Sequence, residues 1–102
     1  MRKAKVNINN EKLQLSSEIL RALAHPLRLK ILEFIDQNET INVNKIYNTL
    51  KLEQSITSQH LRILRLAGLV ITQRDGKFIH YSIDYDKIDN TVNAINGFLQ
   101  ES

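Results

Sequence analysis

Apolar residues recur at intervals of three and four along most of this chain, which is the spacing of helices that pack through one face. The pattern predicts four consecutive helices, over residues 11–24, 26–38, 42–50 and 54–67. Pro26 separates the first two, because proline suits the first turn of a helix and interrupts one already under way. Asn42 is the predicted N-cap of the third helix, and Gly68 follows the end of the fourth.

After Gly68 the period becomes strand-like, with the run LVITQR, the pair Asp75-Gly76 and the run KFIHYSI. An Asp-Gly pair between two β-rich runs is a strong hairpin signal, so Asp75-Gly76 is predicted as the two-residue turn. This register places four residues on the face toward the core: Val70, Thr72, Ile79 and Tyr81.

A last helix is predicted from Asp84 to about the end of the chain. Its apolar residues repeat at helical spacing, whereas its other faces carry Asn, Asp, Thr, Gln and Glu. Such a stripe needs a surface to lie against. The predicted architecture is therefore mainly α with a small β-hairpin, in the order α-α-α-α-β-β-α.

Composition adds little to this pattern but excludes several functions. With 102 residues the chain fits one domain, predicted over 11–102 behind a flexible polar arm at 1–10. Fourteen Lys and Arg against eleven Asp and Glu give a charge of +3, a modest indication of a polyanionic partner. The lack of cysteine excludes disulfides, thiolate metal sites and a cysteine nucleophile. No apolar run suits a membrane span or signal peptide, so a cytoplasmic protein is expected.

The third and fourth helices are separated by only three residues, Lys51-Leu52-Glu53, which makes them a helix-turn-helix candidate. The fourth begins QSITSQHLR, although Ser and Thr are mediocre helix formers. Short hydroxyls, amides, an imidazole and a guanidinium suit contact with base edges and phosphates.

Two segments, SEILRALAHPLRLKILEFI and KLEQSITSQHLRILRLAGLVITQRDGKFIHYSI, resemble the arsenic-repressor-type (ArsR/SmtB) family of bacterial transcription regulators. The resemblance covers residues 16–102, and it implies a homodimeric winged helix-turn-helix repressor that binds double-stranded DNA. In this organisation the helix-turn-helix is 42–67, the wing is 69–83 and the dimerisation helix is 84–101. The implied dimer interface comprises Leu13, Ile19, Leu20, Ile88, Val92, Ile95, Phe98 and Leu99.

The expected DNA contacts are polar or basic side chains on the fourth helix, in the preceding turn and at the wing. For each the alternative is an ordinary solvated face, for Ser55 a capping role is also open, and for His60 a half-buried structural role is equally open. The predicted set is Lys51, Gln54, Ser55, Thr57, Ser58, Gln59, His60, Arg62, Arg74 and Lys77. Lys45 is a weaker phosphate candidate.

No cofactor or metal is expected. Where arsenic- and cadmium-sensing members carry cysteines in the third helix, this chain has Asn42 and Asn44, and amides are poor ligands for soft metals. Zinc- and nickel-sensing members use Asp and His on the last helix, and no histidine follows His80. The sequence names neither an effector nor an operator.

Two other function classes fit the sequence less well. A winged-helix module that binds a protein partner is disfavoured because QSITSQHLR lacks the aromatic and leucine anchors of protein hot spots. An enzyme is disfavoured because there is no phosphate-binding glycine loop and no convincing cluster of acid, base and nucleophile.

Overall fold

A computed structural model describes residues 6–100 and shows helices around a small antiparallel sheet. The helices are α1 (Asn10–Leu23), α2 (Pro26–Asn38), α3 (Val43–Leu50), α4 (Gln54–Leu66) and α5 (Tyr85–Leu99). The strands are β1 (Thr40–Asn42), β2 (Val70–Asp75) and β3 (Phe78–Ile83), in the sheet order β1-β3-β2. The order of helices and hairpin predicted from the sequence is confirmed, and the predicted arm at 1–10 lies partly outside the described residues.

Side-chain caps fix where the helices begin. The carboxamide oxygen of Asn42 accepts from the backbone N–H of Lys45 at 2.9 Å, and a carboxylate oxygen of Asp84 accepts from that of Lys87 at 3.1 Å. Each bond satisfies a first-turn N–H group that has no partner within its helix. The predicted starts of α3 and α5 are therefore correct.

The short strand β1 was not predicted. It pairs antiparallel with β3, where Ile41 lies opposite Tyr81, so the sheet has three strands rather than two. A three-residue strand is too short to show an alternating pattern, and its partner lies about forty residues further along the chain.

The predicted hairpin register was wrong. Asp75 pairs with Phe78, so the two-residue loop is Gly76-Lys77, with Gly76 at a φ of +62°. Glycine adopts a positive φ without the steric cost that other residues incur, and it occupies the first loop position. The shift preserves the predicted face, but Thr72 and Ile79 on it are exposed, because the hairpin extends beyond the helices.

The hydrophobic core lies between α2, α3, α4 and the base of the hairpin. Its fully buried side chains are Ile31, Ile35, Ile46, Leu61, Leu64 and Leu69. Two of these, Leu61 and Leu64, belong to α4, so the core fixes which face of that helix points outward. In the part of the chain described here, no helix is both long and apolar enough to cross a bilayer.

Candidate nucleic-acid interface

The buried face of α4 contains Thr57 as well as Leu61 and Leu64, all three with no exposed surface. The Thr57 hydroxyl donates to the backbone carbonyl of Glu53 at 2.8 Å, one turn earlier in the chain. The prediction that Thr57 contacts DNA is therefore wrong. The signal was present in the sequence, since Thr57 lies four residues before Leu61 on the same helical face.

The opposite face of α4 is polar and exposed. Ser55, Gln59 and Arg62 each lie two residues before or after a buried position, and two residues correspond to about 200° around an α-helix. These three side chains form one line along the helix, which we call the polar stripe. Gln54 and Ser58 are also exposed, along one flank of the stripe.

The first turn of α4 begins without a side-chain cap. Glu53 occupies the N-cap position, but its carboxylate accepts no hydrogen bond from the helix. Together with Gln54, Ser55 and Ser58 it lines a shallow, open depression. The amide groups of this turn carry the positive end of the helix dipole, and the neighbouring hydroxyls add short donors.

The basic residues predicted to contact DNA precede and follow the polar stripe along the sequence. Lys51 is exposed in the turn before α4, where it adopts a left-handed conformation with φ of +56°. Arg74 is exposed near the end of β2, and Lys77 is exposed in the hairpin loop. The Lys77 ammonium lies 5.7 Å from the centre of the Phe78 ring, close enough for a cation–π contact at the tip of the wing.

His60 differs from the other candidates because it is half-buried and turned toward neighbouring helices. Its Nδ1 lies 3.2 Å from a guanidinium nitrogen of Arg28, and its ring centre lies 4.8 Å from that of His25. Burial, followed by the charges of His25 and Arg28, lowers the pKa of His60 below its ordinary 6.5. His60 therefore occupies a half-buried structural position, the alternative that its sequence context left open.

Arg28 was missed by the sequence analysis. The available signal was an arginine in the first turn of α2, directly after His25-Pro26 in the run AHPLRLKIL. Its side chain bridges α1 and α4 through contacts with the carbonyl of Ala22 and the ring of His60.

The residues expected at a dimer interface fall into two groups. Ile19 and Ile88 pack against the core of their own chain, and Leu20 and Ile95 are half-buried. The remaining four are exposed by 45–70% of their surface: Leu13, Val92, Phe98 and Leu99.

Three polar residues near the starts of α3 and α5 occupy structural positions. Asn42 and Asp84 are helix caps. Asp86 lies in the first turn of α5, where its negative charge is stabilised by the positive end of the helix dipole. Within residues 6–100, no group of three His, Asp or Glu side chains is arranged to hold a metal ion.

A helix-turn-helix followed by a hairpin and a long final helix defines a winged helix-turn-helix protein. The family model described as "Bacterial regulatory protein, arsR family" matches residues 25–72. The transcriptional repressor PagR of Bacillus anthracis is 38% identical over 81 residues, covering 78% of this chain and 80% of the relative. The nodulation protein NolR of Rhizobium meliloti is 34% identical over 87 residues, covering 85% and 70%.

Solved structures agree with these relatives. The crystal structure of NolR from Sinorhizobium fredii superposes with a TM-score of 0.72 at 32% identity, covering 95% of this chain and 99% of that one. The crystal structure of PagR gives 0.68 at 35% identity, covering 86% and 100%. This chain belongs to the arsR family of bacterial regulatory proteins, and it is a transcriptional regulator rather than an enzyme.

Proposed function

We propose that this protein is a homodimeric, sequence-specific DNA-binding repressor that inserts α4 into the major groove of a pseudo-palindromic operator. The observation that carries this proposal is the polar stripe, because Ser55, Gln59 and Arg62 are exposed directly opposite the buried face of α4. A solvated helix needs no such alignment of amide, hydroxyl and guanidinium groups on one line.

The stripe carries the functional groups that distinguish base pairs. A glutamine amide pairs with the N6 and N7 edge of adenine, and a guanidinium binds guanine or phosphate oxygens. Gln59 therefore supplies direct recognition, Arg62 binds guanine or phosphate, and the serines reach base edges or phosphates. The uncapped first turn of α4 leaves its N–H groups directed toward the same ligand.

The flanking cations supply affinity rather than specificity. Lys51 before α4 and Arg74 and Lys77 on the wing are exposed, and each phosphate they neutralise releases counterions. Operator binding also places the protein in the cytoplasm, with the bacterial chromosome.

The dimer is supported by apolar surface that one chain leaves exposed. Phe98 is 70% exposed and Leu99 63% exposed at the end of α5, and Leu13 is 52% exposed on α1. The radius of gyration is 16.5 Å, against about 13 Å for a compact domain of 100 residues. A second copy that packs on α1 and α5 would bury these side chains and relate the two α4 helices by a two-fold axis.

Repression is the regulatory outcome that the relatives favour, since PagR is named a transcriptional repressor. Two recognition helices at the spacing of a helical turn would occupy a promoter and exclude the polymerase.

Fluorescence anisotropy with a labelled duplex from upstream of the protein's own gene tests the proposal. We expect binding at least about a thousandfold tighter than to a scrambled duplex of equal length, because specific and non-specific affinities differ by this much or more. Equal affinity for both duplexes at moderate salt would refute sequence-specific binding, and would leave protein partners as the ligands of this face.

A further inference from the structure

Arg28 connects three helices through one guanidinium group. From the first turn of α2, its Nε donates to the carbonyl of Ala22 at 2.8 Å and its Nη2 to the carbonyl of Arg21 at 3.0 Å, both in the last turn of α1. Its Nη1 lies 3.2 Å from Nδ1 of His60 on α4. A planar guanidinium keeps these three directions fixed relative to one another.

The contact with α4 requires an uncharged His60. Arginine has only N–H donors, so Nδ1 of His60 must accept and the imidazole proton must lie on Nε2. The adjacent His25 is used in the same way, because its Nδ1 accepts from the backbone N–H of Leu27 at 3.2 Å. A proton added at Nδ1 of His60 removes the acceptor and places a cation against Arg28.

We propose that Arg28 is a positioning residue for DNA recognition: it holds α4 at the angle that fits the operator while His60 is neutral, and protonation of His60 releases this hold. The inference rests on the proposed function, since it concerns how the polar stripe is presented. It adds a control of operator recognition by pH.

The location of His60 makes the polar stripe sensitive to this contact. His60 follows Gln59 directly and precedes Arg62 by two residues, so any rotation of α4 about the contact moves both of these side chains. If α4 is in the orientation that fits the operator for only a fraction of the time, the apparent affinity for the operator is reduced to that fraction of its full value. Contacts with phosphates by flexible lysines tolerate such a rotation better than contacts with base edges do.

The surroundings of His60 determine the direction of the pH effect. His25, at the cap of α2, and Arg28 both disfavour a charged imidazole, and burial has a larger effect in the same direction. Within residues 6–100 no carboxylate contributes to the change in the pKa of His60, and α1 offers the guanidinium only backbone carbonyls. The hold is therefore complete above pH 6.5, the ordinary pKa, and is lost as the pH falls through the lowered pKa.

The test is the specificity ratio, defined as the affinity for the upstream duplex divided by that for the scrambled duplex, measured between about pH 8 and about pH 5.5. We expect this ratio to fall severalfold toward the acidic end, following the fraction of His60 that is protonated, while non-specific affinity is unchanged or rises. A ratio that does not change with pH overturns the positioning role alone. No discrimination at any pH overturns the proposed function, and the positioning role with it.

Three variants separate positioning from general stability. His60→Asn places an amide oxygen near the position of Nδ1 and cannot titrate, so its ratio should stay high and independent of pH. His80→Asn, on β3, is the matched control and should keep the wild-type response. Arg28→Lys keeps the charge but loses the planar fork, and should lower the ratio about tenfold at pH 8.

Wild-type specificity in Arg28→Lys, or an acid-induced loss that persists in His60→Asn, would overturn the proposal. Circular dichroism and gel filtration establish that each variant is folded. Should Arg28→Lys fail to fold, the comparison of His60→Asn with His80→Asn decides the question by itself.

Discussion

The hydroxyl of Tyr85, the first residue of α5, donates a hydrogen bond to Oδ1 of Asp36 near the end of α2. This contact joins the helix proposed to form the dimer to the helix that supports the core. The hydrogen bond to Asp36 is the main reason that the pKa of Tyr85 is raised above 10.0, with smaller contributions from burial and from the charges of Asp36 and Glu39.

Titration of the three tyrosines by ultraviolet absorbance should therefore show one that ionises above the ordinary range. Because its folded pKa is raised, Tyr85 stabilises the fold below pH 10.0, and this contribution is lost as the pH rises through the raised pKa. Tyr85→Phe should remove the late step, whereas Tyr47→Phe on α3 should leave it. A late step that survives Tyr85→Phe would contradict the assignment.

Neighbouring residues at the start of α4 should respond oppositely to mutation. Thr57→Ala removes a buried methyl and a hydrogen bond, so we expect it to lower the free energy of unfolding by about 1–2 kcal/mol. Ser58→Ala, at an exposed position, should change it by less than about 0.5 kcal/mol and weaken operator binding. Urea denaturation and anisotropy measure the two effects. A stable Thr57→Ala protein with impaired DNA binding would mean that α4 is rotated relative to this structure.

On the polar stripe, Gln59→Ala should cost about 1–3 kcal/mol of operator affinity and relax preference at one base position. Arg62→Ala should weaken operator binding, and if Arg62 contacts phosphate the slope of log affinity against log salt should fall by about one. Arg65→Ala is a matched control, because Arg65 is exposed in the last turn of the same helix but lies outside the stripe. Anisotropy across a salt series distinguishes them. Equal losses for Arg62→Ala and Arg65→Ala would refute the stripe as the recognition surface.

The terminal helices should control assembly. Phe98→Ser replaces a large side chain that is 70% exposed in one chain, and we expect it to raise the dimer dissociation constant at least about tenfold, because aromatic anchors dominate interface energies. Leu66→Ser changes a side chain of nearly equal exposure, 69%, at the end of α4, and should leave assembly unchanged. Sedimentation velocity over a concentration series measures both. A monomeric wild-type protein would remove the basis for a two-fold operator.

Local signals in the sequence were sufficient for the helices and insufficient for the sheet. Pro26 favours a helix start through its fixed ring, and Asn42 and Asp84 cap helices through hydrogen bonds to residues three further on, so these effects are visible in the sequence. Strand β1 depends on pairing with β3, which no local pattern encodes. The hairpin loop at Gly76-Lys77 follows a local preference, glycine at the first loop position, that competes with the Asp75-Gly76 turn predicted from the sequence.

The same difference between local and long-range signals determines which parts of the candidate site could be predicted from the sequence. The exposed stripe follows from the helical period once Leu61 and Leu64 are placed inside, and that period also excludes Thr57. The positions of Arg28 and His60 could not be derived, because their contact joins residues 32 apart through the packing of α2 against α4.

Hydroxyl-radical footprinting on the protein's own upstream region reports whether two copies present paired α4 helices to one operator. We expect two protected half-sites about 34 Å apart, related by a pseudo-two-fold axis, and loss of both together in Gln59→Ala. A single protected half-site, or uniform protection that a scrambled duplex reproduces, would contradict it.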